Sequence, residues 1–93
     1  MGEMEKRRNL SKEAFDNTEK LIQSYVAEDI KKKTRKERNK ITDEFTIAFN
    51  GMSMLMSELD RYKAIEMLDS YGLLDSIRKS VRRIQRNKSL AFI

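Results

Sequence analysis

Apolar and polar residues alternate with the period of an α-helix along most of this chain. The first stripe follows helical spacing through Leu10, Ala14, Phe15, Leu21, Ile22, Tyr25, Val26 and Ile30, and Thr18 and Asp29 fall on the same stripe. This spacing places the apolar side chains on one face of a helix, which we predict near residues 11–38 with Ser11 at its N-cap. Residues 1–9 are charged and lack this period, so we predict that they are disordered.

The apolar stripe stops at residues 31–40, and two interpretations of this stretch are open. Ile30 and Ile41 are separated by about three helical turns, so a continuous helix would keep both on one face. However, Thr42 is followed directly by two acids, a pattern typical of a new helix start. The second interpretation is favoured and predicts a break or kink near residues 39–42.

A second apolar pattern advances by alternating steps of four and three, as in a heptad repeat. It comprises Ile41, Phe45, Ala48, Met52, Leu55, Leu59 and Tyr62. Because this seam exposes more apolar surface than one short helix can cover, we predict a homodimer packed through Ile41–Tyr62. The predicted interface residues are Phe45, Met52, Leu55, Met56, Leu59 and Tyr62.

Two glycines in the second half of the chain indicate where helices end. Asn50-Gly51 indicates a helix end within the heptad pattern, so helices are expected near residues 42–49 and 54–70. Gly72 is the strongest helix stop in the chain and precedes a last helix near residues 74–87. The prediction is an all-α fold, a small three- to four-helix bundle over residues 10–88, followed by an apolar C-terminal tail at residues 89–93.

The composition excludes several kinds of active site but does not identify a function. The 93 residues fit one domain, and they contain no proline, cysteine, histidine or tryptophan. Without histidine and cysteine there is no base for a catalytic triad, no thiolate nucleophile and no ordinary zinc site. The three glycines are scattered and form no phosphate-binding loop. We therefore expect a non-enzymatic protein with no catalytic residues, no cofactor, no metal and no small-molecule substrate.

The chain carries no signal for a membrane or for secretion. No run of 18 or more apolar residues occurs, and no charged segment followed by an apolar one opens the sequence. The absence of cysteine also fits a reducing compartment. We expect a cytoplasmic protein that does not associate with membranes.

Charge is strongly segregated along the sequence. Lys31–Lys40 holds seven cations and one acid, and Arg78–Lys88 holds six cations and no acid. Between these two basic blocks, Ile41–Ile77 holds seven acids and two cations. Clustered cations are typical of proteins that bind phosphates, but they also occur where a fold or dimer pairs its own basic and acidic faces.

The segment 67–81 weakly resembles a helix-turn-helix, with Gly72 in the turn and a basic second helix. The alternative for this segment is an antiparallel hairpin whose cations are merely solvated. The favoured hypothesis is a small regulator that binds nucleic acid, DNA more than RNA, through its basic helices. Its candidate contact residues are Lys31, Lys32, Lys33, Arg35, Lys36, Arg38, Arg78, Lys79, Arg82, Arg83 and Arg86.

The alternative hypothesis is a protein–protein interaction module, such as an inhibitor, anti-activator or immunity-type bundle, that docks on an acidic partner surface. The arrangement of the cations in space distinguishes the two. One continuous basic face favours nucleic acid, whereas cations paired to Glu58, Asp60, Glu66 and Asp69 favour assembly of the protein with itself.

Overall fold

The computed structural model describes residues 2–91, which form four α-helices joined by short connections. The helices are α1 (Gly2–Ala27), α2 (Arg35–Ser53), α3 (Glu58–Ser70) and α4 (Leu74–Ala91). A single turn of 3₁₀-helix, Ile30–Lys32, lies between α1 and α2. The predicted all-α class and small helical bundle are confirmed. The predicted apolar tail at residues 89–93 lies outside the described residues, apart from the helical backbone of residues 89–91.

The first helix begins earlier than the sequence pattern indicates. Residues 2–9, predicted to be disordered, belong to α1, because their Glu, Met, Lys and Arg residues favour helix. The buried face of α1 comprises Ser11, Ala14, Thr18, Ile22 and Tyr25. This face keeps the predicted spacing, but two of its members are small hydroxyl residues rather than apolar ones.

Ser11 is not the N-cap of α1; it lies inside the helix and holds the start of α3. Its hydroxyl lies 2.5 Å from Oδ2 of Asp60, to which it donates, and it accepts from the Ser57 amide at 2.6 Å. Ser57 is the N-cap of α3, and its own hydroxyl accepts from the amide of Asp60 at 3.2 Å. These contacts fix α3 against the first half of α1.

The break between the first two helices was predicted in the wrong place. The chain leaves α1 at residue 28, and α2 runs without a break through residues 39–42. Thr34 is the N-cap, and its hydroxyl accepts from the amide of Glu37 at 3.2 Å. Thr-x-x-Glu is a capping signature. Thr42, the expected cap, is buried inside α2, where its hydroxyl makes a 2.8 Å hydrogen bond with the Tyr25 hydroxyl.

The expected helix end at Asn50-Gly51 is also wrong. Helix α2 continues to Ser53, and the turn to α3 occupies residues 54–57. Arg61 donates from Nε to the carbonyl oxygen of Ser53 at 3.1 Å, which satisfies an acceptor at the end of α2. The Ile41–Tyr62 heptad is therefore divided between two helices and does not form one continuous seam.

Gly72 ends α3 as predicted. It has a φ of 69°, and its amide donates to the carbonyl oxygen of Asp69 at 2.9 Å. The amide of Leu73 donates to the carbonyl oxygen of Leu68 at 3.0 Å. This pair of bonds is a Schellman motif, which requires a left-handed residue at the position of Gly72.

The core consists of two clusters of buried residues, and residues of α2 pack in both. One cluster of buried residues joins α1, α2 and α3 through Ile22, Tyr25, Phe45 and Leu68, and the first residues of α4 pack against it. A second cluster comprises Ala14, Met56 and Ala64. Phe49 packs against both clusters.

The molecule is thin in one direction, with principal extents of 49 × 36 × 16 Å. Its radius of gyration is 14.8 Å, against about 12 Å for a compact domain of this length. A layer this thin leaves apolar side chains exposed. Within the described residues, no helix combines the length and the apolar composition needed to cross a membrane.

Candidate nucleic-acid interface

A cleft between α2 and α4 brings the two basic blocks together. The cleft has a volume of about 620 Å³, and six of its eleven lining residues are cations. We call it the basic groove; it is lined by Tyr25, Ile30, Arg35, Arg38, Asn39, Thr42, Ser76, Lys79, Arg82, Arg83 and Arg86. Six of the eleven predicted contact residues are thus placed around one concave surface.

One wall of the groove is the N-terminal half of α2. Arg35, Arg38, Asn39 and Thr42 recur every three or four residues, so they share one helix face. Because Thr34 caps the helix directly before Arg35, the first turns of α2 carry the arginines. Residues 31–40, where the apolar stripe stops, are therefore part of an α-helix from Arg35 onwards.

The other wall is a face of α4. Ser76, Lys79, Arg83 and Arg86 follow the same spacing, and Arg82 lies beside them. The neighbouring face of α4 packs on the protein and includes the half-buried Leu74, Ile77 and Ile84 and the fully buried Ser80. Val81, an apolar residue of the same helix, is 37% exposed. The small Ser80 takes its place and allows α4 to approach α2 closely.

A polar clamp joins the two walls. Arg83 donates from Nη2 to Oδ1 of Asp43 at 2.7 Å, and its Nε lies 3.1 and 3.3 Å from the two carboxylate oxygens. The Ser80 hydroxyl donates to the same Oδ1 at 2.6 Å. The two charged side chains are 29% and 24% exposed. We call these three residues the α2–α4 clamp.

The clamp changes the predicted role of Arg83. As a candidate contact residue, its side chain was expected to be available to a ligand. In the structure its guanidinium is held by Asp43, so its charge is compensated within the protein. Asp43 and Ser80 were not among the predicted site residues, and neither side chain carries a local signal, because the contact spans 37 residues.

The floor of the groove is polar and neutral. The hydroxyls of Tyr25 and Thr42 are hydrogen-bonded to each other, and Tyr25 is only 6% exposed. The ring of Tyr25 packs on Phe45 with their centroids 4.5 Å apart. Asn39 and Ser76 supply further side-chain donors along the walls. The groove thus presents hydrogen-bond donors and cations to a ligand, while the ring of Tyr25 packs towards the core.

The five other predicted cations do not line the groove. Lys32 pairs with Asp29 at 3.4 Å and Lys33 with Glu28 at 4.0 Å. These two pairs are solvent-exposed or partly so, and such pairs contribute little to stability. Lys31 lines a separate cleft beside the end of α1, and Lys36 and Arg78 are exposed.

Among the side chains that the structure describes, those of residues 2 and 4–86, the acids expected to pair with the cations in a self-assembling protein do not do so. The ion pairs of this region involve Glu28, Asp29 and Asp43, not Glu58, Glu66 or Asp69. Asp60 accepts from the Ser11 hydroxyl instead.

In the segment 67–81, helix α3 is followed by a turn over residues 71–73 and by helix α4. However, α4 packs mainly on α2 and only slightly on α3. Packing of α4 along α3, as in an antiparallel hairpin, is therefore slight. Of the cations on α4, Arg78 is exposed and does not border the groove.

The predicted interface residues divide into two groups. Phe45 and Met56 are buried in the two core clusters, so they are not available to a second copy. Leu55, Leu59 and Tyr62 are 56%, 63% and 62% exposed. Met52 is half-buried and packs against the second cluster.

Comparison of the chain with models of known protein families, with curated proteins and with solved structures found no match.

Proposed function

We propose that this protein is a non-enzymatic nucleic-acid-binding protein and that the basic groove holds the phosphate backbone. The proposal rests mainly on the fact that residues of both basic blocks line the same cleft. Residues more than forty positions apart in sequence line one cleft with six cations. Phosphate contacts of this kind release counterions and supply most of the affinity in non-specific nucleic-acid binding.

The charge balance of the groove supports the same proposal. Within the described residues, Arg83 is the groove cation that forms an ion pair. The others, Arg35, Arg38, Lys79, Arg82 and Arg86, repel one another without an acid partner there. A polyanion bound in the groove relieves this repulsion, which gives the ligand a favourable electrostatic term.

The test compares charge reversals inside and outside the groove on the same helix. Arg38→Glu and Lys79→Glu change groove residues, whereas Lys36→Glu and Arg78→Glu change exposed neighbours by the same charge. Binding of a labelled nucleic acid at low salt should weaken at least tenfold more for each groove variant than for its control. Circular dichroism checks that helicity is unchanged.

Two results would contradict the proposal. Equal losses for groove and control variants would mean that only net charge matters. A larger loss for Arg78→Glu than for Lys79→Glu would place the ligand on the outer face of α4, as a helix-turn-helix protein would.

We also propose a homodimer, which packs through a smaller surface than the predicted seam. The alternative is that another protein covers this surface with apolar residues of its own. The dimer is supported by the exposed apolar side chains of Leu55, Leu59 and Tyr62. Leu10 and Met54 are also exposed, and together with Leu55 they line a cleft of about 410 Å³. Leu59→Asp should dissociate the dimer without unfolding the protomer, because Leu59 is 63% exposed. Sedimentation of the wild-type chain as a monomer at micromolar concentration would contradict the dimer.

A further inference from the structure

We infer that the basic groove binds one linear run of consecutive phosphates, the backbone of a single nucleic-acid strand or a free polyphosphate, rather than a duplex. This inference rests on the proposed function and specifies its ligand. It follows from the concave form of the site, from its size and from the chemistry of its lining.

The concave form places the cations on two walls that border the same space. A helix with its side chains is about 10–12 Å across, and packed helices lie about 8–10 Å apart. The α2–α4 pair therefore spans roughly 18–22 Å. The major groove of DNA is about 12 Å wide and admits one helix. The pair cannot enter it together, so the groove cations cannot all reach a duplex by that route.

The size of the groove fits a thin ligand. Its volume of about 620 Å³ falls in the range of about 300–1,000 Å³ that is typical of pockets for small molecules. A short run of phosphates can lie in such a space with cations on both sides. The clamp of Asp43, Ser80 and Arg83 joins α2 and α4 beside this space, and Arg83 also lines it.

The lining selects phosphate rather than base. The aromatic residue of the groove, Tyr25, packs on Phe45 and is 6% exposed. It cannot provide the platform on which single-strand-binding proteins stack bases. Guanidinium groups, which bind phosphate oxygens in a bidentate manner, dominate the walls instead. Affinity should therefore depend on consecutive phosphates and hardly on the bases attached to them.

The experiment uses the full chain and three probes: the two nucleic acids are measured by fluorescence anisotropy, and inorganic tripolyphosphate is also titrated directly by isothermal titration calorimetry. A labelled oligothymidylate is compared with the same strand paired to oligoadenylate, and inorganic tripolyphosphate serves as competitor. Orthophosphate and chloride at matched ionic strength are the controls. We expect the single strand to bind at least as tightly as the duplex. Tripolyphosphate should displace it at a concentration at least tenfold below that of orthophosphate.

The charge-reversal variants assign any competition to the groove. Arg38→Glu and Lys79→Glu should lose binding of both the strand and tripolyphosphate at least tenfold, while Lys36→Glu and Arg78→Glu retain it. If a groove variant fails to fold, Arg82→Glu, also in the groove and exposed, replaces it.

The outcomes separate this inference from the function on which it rests. Duplex binding at least tenfold tighter than strand binding and unaffected by tripolyphosphate would overturn the inference and leave nucleic-acid binding intact. Binding of tripolyphosphate without binding of any nucleic acid would support a free polyphosphate as ligand and overturn the proposed function. Failure of all three probes to bind would overturn both.

Discussion

Substitution of Asp43 by alanine tests whether the α2–α4 clamp holds the groove together. The change removes the acceptor of the Arg83 guanidinium and of the Ser80 hydroxyl at once. Ser80, which is fully buried, then retains only a 3.4 Å contact with the carbonyl oxygen of Thr42. Arg83 is left half-buried beside α2 with its charge uncompensated.

The loss in the free energy of unfolding should lie between the loss expected for an exposed ion pair and that expected for a buried one. An exposed ion pair contributes about 0.2–1 kcal/mol, whereas loss of one partner from a buried pair costs about 3–5 kcal/mol. Because Arg83 and Asp43 are 29% and 24% exposed, we expect the free energy of unfolding to fall by about 2–3 kcal/mol. At about 4–8 °C per kcal/mol, the Tm should fall by roughly 8–24 °C.

Urea denaturation followed by circular dichroism measures this loss, with Glu44→Ala as the matched control. Glu44 is the adjacent acid, is exposed, and forms no ion pair within the described residues. In a double-mutant cycle, Asp43→Ala and Arg83→Ala should couple by at least about 1 kcal/mol. An Asp43→Ala stability within about 0.5 kcal/mol of the wild type would show that the clamp does not hold α4.

Two further predictions follow from the backbone and from the groove charge. Gly51→Ala should raise the free energy of unfolding by about 0.5–1 kcal/mol, because Gly51 lies within a helix and an added Cβ meets no atom. Gly72→Ala should lower it by about 1–2 kcal/mol, because the φ of 69° is left-handed; urea denaturation giving the same sign for both would contradict this reasoning. Since Asp43 holds Arg83, five groove cations are free for phosphates, and the slope of log K against log salt should be about −3.5 for a single strand. A slope shallower than about −2 in a salt titration would mean that the groove is not the binding surface.

Local signals in the sequence identify some elements of this fold and misplace others. The stop at Gly72 is predictable because only glycine adopts its backbone conformation without strain. The start of α2 is equally visible in Thr34-x-x-Glu37, a capping signature that lies within the basic block. Thr42 gives a similar signal, but its hydroxyl is used in the core by Tyr25, so it does not cap a helix.

Tertiary contacts account for the remaining differences. Asn50-Gly51 usually ends a helix, but the packing of Phe49 and Met52 against the second core cluster continues α2 beyond it. The basic residues of the site could be predicted by type and position. Their division into groove and solvent-facing cations could not, because it depends on which face of α4 packs against α2. Ser80 decides that face, and a lone serine in a basic helix gives no sign of burial.

The attachment of α4 to the rest of the molecule has a consequence for its local stability. Helix α4 makes most of its contacts with α2 alone, and an isolated helix of this length is marginal in water. We therefore expect α4 to detach as a unit while α1, α2 and α3 stay folded, so that its amides exchange hydrogen through this local unfolding. A ligand that bridges the two walls binds only the docked form, so it should slow exchange in α4 far more than in α1.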